Sequence, residues 1–245
     1  METNMDILVT GCTSGIGEAV TLLLLKSGFR VYGLVRDNSR LKDEVLLNCN
    51  FSYSICDITD SHRISDVFDQ FRKNSIVFTG AVFAAGIEES LPLKFYKEEN
   101  LMRIFETNVF SQFYLLRELV KKGVMLNEGS IVTISSVMSI LGQPGKTGYC
   151  ASKSAILGLV KAASLELAPR NIRVNAVSPG VVDTPMTAKL FKQITPENEA
   201  RIRGMHPLGI GSVESVAGVV HYLLSPISKW TTGQNIIVDG GYSVQ

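Results

Sequence analysis

Near the start of the chain runs Met5-Asp6-Ile7-Leu8-Val9-Thr10-Gly11-Cys12-Thr13-Ser14-Gly15-Ile16-Gly17, an apolar segment followed by three glycines. The apolar half predicts a buried strand over Asp6–Thr10, and the apolar spacing after the glycines predicts a helix. Glycines let the backbone approach a pyrophosphate, and the start of a helix offers free N–H groups and the positive end of its dipole. The stretch therefore indicates a dinucleotide-binding turn. Its spacing, Gly-x-x-x-Gly-x-Gly, differs from the commoner Gly-x-Gly-x-x-Gly, and taken alone it is equally typical of a plain loop.

Strand-like and helix-like patterns alternate along the rest of the chain, which is typical of a parallel sheet covered on both faces. We predict an α/β fold: a doubly wound, seven-stranded parallel sheet of the Rossmann type with helices on both faces. The predicted strands are Asp6–Thr10, Arg30–Val35, Phe51–Cys56, Val77–Ala84, Ser130–Ser135, Ile172–Ser178 and Asn235–Val238. The predicted helices are Ile16–Ser27, Ser61–Lys73, Glu98–Lys122, Gly148–Leu167 and Val213–Ser225, with a weaker one over Asp37–Leu47. No linker divides the chain, so we predict a single domain over residues 1–245.

Composition excludes several classes of protein. Hydrophobic residues make up 45% and charged residues 19% of the chain, which fits a large buried core. The net charge of +1 predicts no attraction to nucleic acid or membranes. The four cysteines lack metal-site spacing, so we expect reduced thiols and no metal. The sequence also has no basic and apolar signal at its start and no apolar segment long enough to span a bilayer, which predicts a cytoplasmic protein.

A second informative stretch, Tyr149-Cys150-Ala151-Ser152-Lys153, places a phenol and an amine four residues apart. On a helix these two side chains share one face. An ammonium group beside a phenol favours the phenolate, so we expect Lys153 to lower the pKa of Tyr149 from its usual value of about 10. A phenol tuned in this way serves as a general acid or base. The pair alone is weak, since this spacing arises by chance on many helices.

Together these motifs resemble the short-chain dehydrogenase/reductase family in its compact single-domain form. Ordered matches run along nearly the whole chain: Thr10–Gly17, Asp57-Ile58, Ala84-Ala85-Gly86, Asn108, Ser135-Ser136, Tyr149–Lys153, Ser178-Pro179-Gly180, Thr232-Gly233-Gln234 and Asp239-Gly240-Gly241. The resemblance implies hydride transfer between a nicotinamide cofactor and a ketone or secondary alcohol. Similar proteins include the 3-oxoacyl-carrier-protein reductases, which makes a 3-oxoacyl thioester one candidate substrate. Sugar, polyol and steroid dehydrogenases carry the same motifs.

The resemblance also assigns catalytic roles. Tyr149 is the expected general acid in the reduction direction, and Lys153 is expected to lower its pKa and to bind the nicotinamide ribose. Ser136 is expected to donate a hydrogen bond to the substrate oxygen that Tyr149 protonates. Strand alternation sends Ser135 and Ser136 to opposite faces, and the family spacing to Tyr149 selects the second. Ser139 is a weaker alternative.

The end of the second predicted strand bears on the choice of cofactor. Relatives that prefer NAD carry an acidic residue there, whereas this chain has Val35 followed by Arg36, which is well placed to pair with a 2′-phosphate. We therefore favour NADP(H). NAD(H) stays open, because Asp37 lies close enough to bind a ribose hydroxyl if the loop shifts, and Ser14 replaces a basic residue of many NADP-dependent relatives. The residues expected to bind the cofactor are Gly11, Thr13, Ser14, Gly15, Ile16, Gly17, Arg36, Asp57, Ile58, Ala85, Gly86, Asn108, Tyr149, Lys153, Pro179, Gly180, Val182 and Thr184.

The resemblance implies three further features. Asn108 is expected to distort its helix and to hold a water that links Lys153 to solvent, as the fourth member of the catalytic set. Segment Thr184–Pro207 is expected to form a mobile lid over the substrate, although a surface excursion that packs on a neighbour fits its composition too. Phe83-Ala84-Ala85-Gly86 departs from the Asn-Asn-Ala-Gly of many relatives, which predicts weaker cofactor binding but removes no catalytic residue.

The sequence also bears on a non-catalytic alternative, on the oligomeric state and on an acyl-carrier protein as a partner. A dinucleotide-binding sensor without turnover is the alternative, but such a protein would be expected to lose members of the catalytic set, and all four are present. Family members are commonly tetramers, so we predict a homotetramer. An acyl-carrier protein is acidic and would need a basic docking patch, for which Arg170, Arg173, Lys121 and Lys122 are the candidates.

Overall fold

The computed structural model describes residues 5–245 and contains a seven-stranded sheet. Its strands are β1 (Asp6–Thr10), β2 (Arg30–Val35), β3 (Phe51–Ile55), β4 (Phe78–Phe83), β5 (Met125–Ile134), β6 (Arg173–Pro179) and β7 (Asn235–Val238). Neighbouring strands run parallel in the order β3-β2-β1-β4-β5-β6-β7. The predicted doubly wound parallel sheet is thereby confirmed. Its order reverses between β1 and β4, which is where such folds bind ligands.

Helices cover both faces of the sheet, as predicted. They are α1 (Gly15–Lys26), α2 (Asp43–Leu46), α3 (Ser61–Lys73), α4 (Glu98–Phe105), α5 (Ser111–Leu119), α6 (Thr147–Leu167), α7 (Pro185–Phe191), α8 (Pro196–Gly204) and α9 (Val213–Leu224). On one face α3, α5 and α6 contribute Phe68, Leu115 and Ile156 to a buried cluster. On the other face α1 and α9 contribute Leu24 and Val220 to a second cluster.

The strand β1 explains why the buried strands are apolar along their whole length. Leu8 belongs to the first cluster, while Ile7 and Val9 belong to the second. Successive side chains of a strand point to opposite faces, so a strand with helices on both sides has two cores to fill. This double burial is the reason that Asp6–Thr10 lacks the alternation of polar and apolar residues.

Three predicted elements differ from the structure by more than one residue at an end. The predicted helix Glu98–Lys122 consists of α4, a π-helical turn over Glu106–Phe110, and α5, which ends at Leu119. Strand β5 begins at residue 125, whereas the sequence predicted a start at residue 130. The first part of the strand was missed because residues 126–128 are exposed and mix apolar with polar side chains. The weak helix predicted over Asp37–Leu47 is reduced to the four residues of α2.

The predicted lid, Thr184–Pro207, contains the short helices α7 and α8. Each begins with a proline, where the missing N–H costs no hydrogen bond. The preceding threonine caps each helix: Thr184 Oγ1 accepts from the N–H of Thr187 at 3.2 Å, and Thr195 Oγ1 accepts from that of Asn198 at 3.4 Å. The mobility of the lid and the organisation of the chain as a single domain stay predictions. Across residues 5–245, no helix is both long and apolar enough to cross a membrane.

Leu24→Ala is expected to lower the free energy of unfolding by about 2–5 kcal/mol, because the truncated side chain would leave a cavity between α1 and the sheet. Leu24 is only 1% exposed. Leu47, which is 85% exposed, provides the control, and Leu47→Ala is expected to change the same quantity by less than about 0.5 kcal/mol. Chemical denaturation followed by circular dichroism measures both, and equal losses would contradict the assignment of α1 to a buried core.

Candidate active site

A cleft of about 420 Å³ opens at the carboxyl ends of the central strands. Every predicted site residue except Asn108 lines this cleft. Its walls include five residues that the sequence motifs did not single out: Arg40, Thr59, Ile87, Thr107 and Met186. Arg40 could have been found from charge, because the loop after β2 carries a second arginine besides Arg36. Met186 lies in the predicted lid, and no motif marks Thr59, Ile87 or Thr107, whose positions follow from tertiary packing.

The glycine turn after β1 is packed tightly against the end of β4. Gly11 has a φ of +71° and Gly15 a φ of +56°, which other L-residues rarely adopt. A Cβ at Gly11 would lie 2.7 Å from the backbone nitrogen of Ala85, and one at Gly17 would overlap the carbonyl oxygen of Gly11. Ser14 precedes α1 in an extended conformation without capping it, so the cap residue supplies no side-chain acceptor for the first N–H groups. These residues fit the pyrophosphate of a dinucleotide.

Tyr149 and Lys153 lie on α6 with the Lys153 Nζ 5.8 Å from the centre of the Tyr149 ring. The Lys153 side chain is buried, and its Nζ donates a hydrogen bond to the carbonyl oxygen of Ile134 at 2.9 Å. Burial lowers the pKa of Lys153 to about 8. Burial also raises the pKa of Tyr149 to about 12, against the opposing effect of a hydrogen bond with Ser136. The predicted lowering of the Tyr149 pKa is therefore wrong for this structure, because burial of the phenol raises its pKa.

The serines that follow β5 both line the cleft but make different hydrogen bonds. Ser136 lines the cleft beside Tyr149, and its Oγ accepts a hydrogen bond from the N–H of Met138 at 3.2 Å. The Ser135 Oγ donates to the carbonyl oxygen of Lys153 at 3.0 Å, which fastens α6 to the strand. The Ser139 Oγ donates to the carbonyl oxygen of Ser136 at 2.6 Å and so supports the neighbouring turn. Of the three, Ser136 has the geometry for contact with a substrate.

Asn108 lies fully buried in the π-helical turn Glu106–Phe110, so its helix is distorted as predicted. Its Oδ1 accepts from the N–H of Ile87 at 2.8 Å, and its Nδ2 donates to the carbonyl oxygen of Ile87 at 2.9 Å. The same Nδ2 donates to the Ser152 Oγ at 3.1 Å. A Cβ at Gly86 would lie 3.2 Å from the Asn108 Oδ1 and 3.5 Å from the Lys153 Nζ. Asn108 thus joins the segment after β4 to α6 from behind the cleft.

Of the four residues expected to form a basic docking patch, the two arginines are engaged within the fold, whereas Lys121 and Lys122 are exposed. Arg173 begins β6 at the edge of the sheet opposite the cleft, and it is 8% exposed. Its Nη1 donates to the carbonyl oxygen of Leu223 and to the Ser228 Oγ, each at 2.7 Å. Arg170 donates to the carbonyl oxygen of Met125 at 2.6 Å. Both arginines hold the fold together and are not free to receive an acidic partner.

Comparisons with known proteins agree with this geometry. A family model described as enoyl-(acyl carrier protein) reductase matches residues 11–243. The 3-oxoacyl-[acyl-carrier-protein] reductase FabG of Thermotoga maritima is 37% identical over 239 residues, covering 96% of each chain. The structure of ElxO with NADP bound has a TM-score of 0.87 and 26% identity, covering 99% of this chain and all of that one. The structure of 4-hydroxyisoleucine dehydrogenase complexed with NADH has a TM-score of 0.90 and 28% identity, with the same coverage.

The free energy of unfolding is expected to depend on Lys153 between about pH 8 and pH 10.5. The pKa of Lys153 falls from 10.5 to about 8 on folding, so in this window the unfolded chain binds more protons and stability rises with pH. Below pH 8 the full cost of burying the lysine is present. In Lys153→Met this rise is expected to disappear, and the free energy of unfolding at neutral pH is expected to increase by about 1–3 kcal/mol.

Lys161→Met provides the matched control, because Lys161 lies exposed on the same helix. It is expected to keep the rise in stability between pH 8 and pH 10.5. Urea unfolding at a series of pH values measures both variants. The raised pKa of Tyr149 lowers stability only above pH 10, outside most of this window. An identical pH dependence in the wild type and in Lys153→Met would contradict the burial of a costly ammonium.

Proposed function

Because the chain belongs to the short-chain dehydrogenase/reductase family, we propose that it is an NADP(H)-dependent oxidoreductase that interconverts a ketone and a secondary alcohol. The observation that carries the proposal is the cleft itself, in which Ser136, Tyr149 and Lys153 share one cavity with the glycine turn. A bound nicotinamide cofactor would supply the hydride. The cleft would hold its pyrophosphate at the start of α1 and its nicotinamide end toward α6.

The proposed mechanism rests on the groups around the substrate oxygen. Tyr149 donates its proton to the carbonyl oxygen during reduction, and the Ser136 hydroxyl donates a hydrogen bond to the same atom. With a pKa of about 12, the Tyr149 phenol stays protonated at neutral pH and so carries the proton that reduction requires. Lys153 would hold the ribose next to the nicotinamide. Asn108 supports this wall of the site by holding Ile87 and Ser152.

The preference for NADP(H) rests on charge at the end of β2. Arg36 and Arg40 both line the cleft there, and both are exposed enough to close on a 2′-phosphate. The competing carboxylate of Asp37 accepts hydrogen bonds from the N–H of Ser39 at 2.9 Å and from its hydroxyl at 2.5 Å. Asp37 does not line the cleft, which weakens the argument for a contact with a ribose hydroxyl. The NADP bound to ElxO supports the same choice, while the NADH bound to 4-hydroxyisoleucine dehydrogenase keeps NAD(H) as the alternative.

The proposed substrate is a 3-oxoacyl thioester, with a sugar, polyol or steroid as the alternative. Its support is the similarity to the 3-oxoacyl-[acyl-carrier-protein] reductase of Thermotoga maritima over nearly the full length of both chains. Participation of an acyl-carrier protein rests on that similarity alone. A sensor without turnover is disfavoured, because the residues that turnover needs lie together in the cleft.

A homotetramer is proposed on the same grounds, with support from apolar side chains that helices leave exposed. Phe113 on α5 is 52% exposed and Leu165 on α6 is 77% exposed. Trp230, after α9, is 98% exposed. A monomeric mass in solution at micromolar concentration would exclude the tetramer. A cytoplasmic location stays a prediction from the sequence.

Tyr149→Phe is expected to lower turnover of a short 3-oxoacyl thioester with NADPH by at least about 100-fold, since it removes the general acid. NADPH binding, followed by fluorescence titration, is expected to survive. Tyr222→Phe provides the control, because Tyr222 is a half-exposed tyrosine on α9 and is expected to keep normal turnover. Near-normal turnover in Tyr149→Phe would refute the mechanism. Binding of NADPH by the wild type without turnover of any ketone would favour the sensor.

Arg36→Ala is expected to weaken NADPH binding by about tenfold or more, because it removes one charge-assisted pair with the 2′-phosphate. NADH binding, which involves no such phosphate, is expected to change by less than about twofold. Titration of both cofactors against the same preparation measures the difference. Arg117→Ala, on α5 and away from the cleft, controls for a general effect of lost charge. Equal weakening of NADPH and NADH would overturn the preference for NADP(H).

A further inference from the structure

A second pair of charged side chains lies beside Tyr149, formed by Glu88 and Lys146. The Lys146 Nζ contacts the Glu88 Oε1 directly, and the two side chains are only 8% and 14% exposed. The Ser90 hydroxyl donates to the same carboxylate oxygen at 2.9 Å. The sequence motifs mark neither partner, and 58 residues separate them along the chain. Their meeting is a product of the tertiary structure.

The position of this ion pair ties it to the catalytic helix. Lys146 immediately precedes α6, and its carbonyl oxygen accepts a hydrogen bond from the N–H of Cys150 at 2.7 Å. Its Nζ lies 5.9 Å from the centre of the Tyr149 ring, about as close as the Nζ of Lys153. Glu88 follows Ile87, which the amide of Asn108 holds through both its N–H and its carbonyl oxygen. The ion pair thus connects the segment held by Asn108 to the start of α6.

Two more contacts hold the same segment, residues 87–96, against the start of α6. The N–H of Leu91 donates to the carbonyl oxygen of Gly145 at 2.8 Å. The Tyr96 hydroxyl packs on Gly148 so closely that a Cβ at Gly148 would overlap it. Lys146 lies between these two contacts along the chain. The residues just before Tyr149 are therefore held at three successive points.

Stability alone does not account for a buried pair of this kind. Lysine and glutamate are rarely buried, and the cost of removing two charges from water is often larger than their mutual attraction. Loss of one partner, by contrast, leaves an uncompensated charge in a buried place. The pair contributes little to folding and lies against the Tyr149 phenol. Its effect is therefore on the position and the electrostatic environment of Tyr149.

We propose that the Glu88–Lys146 ion pair is a positioning element of the active site, which locks the start of α6 and so holds Tyr149 for proton transfer. The proposal rests on the proposed function, because the proton transfer is that of the reductase reaction. Neither residue contacts the reacting atoms. Both act through Tyr149.

The charges around Tyr149 give the proposal a pH dependence with a definite sign. Burial is the main cause that raises the pKa of Tyr149; a hydrogen bond with Ser136 lowers it, and the negative charge of Glu88 raises it further. Lys153 on α6 and Lys146, which immediately precedes α6, both lie near the ring. Replacement of Glu88 by a neutral residue removes a negative charge that disfavours the phenolate, so the pKa of Tyr149 falls. The reduction reaction needs protonated Tyr149. The alkaline limb of the plot of kcat against pH is therefore expected to move to lower pH.

The experiment compares Glu88→Gln, Lys146→Met and the double variant with a matched control. Each single variant is expected to lower kcat by about tenfold, with a smaller change in KM, because the loss lies in orientation. The pH profile of Glu88→Gln is expected to shift its alkaline limb to lower pH. In the double variant kcat is expected to fall by less than the product of the two single fold-losses, since the double variant leaves no unpaired charge. Lys146→Arg, which keeps the pair, is expected to retain most of the activity.

Glu89→Gln provides the control on the same segment. The Glu89 carboxylate accepts hydrogen bonds from Arg103 at 2.6 Å and from Asn100 at 3.1 Å, both on α4, so it fastens the segment away from α6. This variant is expected to leave kcat and the pH profile close to those of the wild type. A loss equal to that of Glu88→Gln would mean that any loosening of the segment suffices, and would overturn the specific role of the ion pair.

Amide hydrogen exchange supplies a measurement that needs no substrate. The N–H of Cys150, bonded to the Lys146 carbonyl oxygen, is expected to exchange faster in Glu88→Gln and Lys146→Met but not in Glu89→Gln. Unchanged exchange at Cys150 together with an unchanged pH profile would refute the proposal. If the wild type turns over no ketone, the proposed function fails by itself, and the exchange rates still decide whether the pair locks the start of α6.

Discussion

The close packing of the glycine turn against the end of β4 is the constraint on which the rest of the site depends. Gly11 approaches Ala84 and Ala85 so closely that no side chain fits between them, and the Thr10 Oγ1 accepts from the N–H of Ala85 at 3.2 Å. Because β1 and β4 are neighbours at the point where the strand order reverses, this contact sets the glycine turn beside the segment that leads to Ile87. A larger residue in the turn would separate the two halves of the cleft.

From that contact the catalytic wall is assembled by links between distant parts of the chain. Asn108 lies in a π-helical turn, and this turn directs the Asn108 side-chain amide toward the backbone of Ile87. The Glu88–Lys146 pair and the hydrogen bond from Ser135 to Lys153 then fix α6 from two sides. A single helix thereby presents Tyr149 and Lys153 toward the cleft in one arrangement. Catalytic geometry of this kind needs rigid support, since small displacements are costly in rate.

Burial determines the electrostatics of the same wall. The phenol of Tyr149 and the ammonium of Lys153 both lose water, and desolvation favours the neutral form of each. As a result their pKa values move in opposite directions, up to about 12 and down to about 8. The i and i+4 spacing correctly indicates that the two groups share a helix face. It carries no information on how much water remains around them, so it gives the wrong direction for the phenol.

The sequence by itself determined the secondary structure of the sheet and the composition of the cleft. The bounds of β1, β2 and β7 were predicted to the residue, because buried parallel strands are continuous apolar runs between turn residues and this pattern is local. The motif residues that follow β1, β2, β3 and β4 line one cleft, because a parallel sheet gathers its carboxyl ends at one edge. Only the tertiary structure decided the internal role of Arg173, the exclusion of Asp37 from the cleft, and the meeting of Glu88 with Lys146. Each of these depends on which distant groups lie within a few ångströms and on how much water packing removes, and neither quantity is encoded in the spacing of residues along the chain.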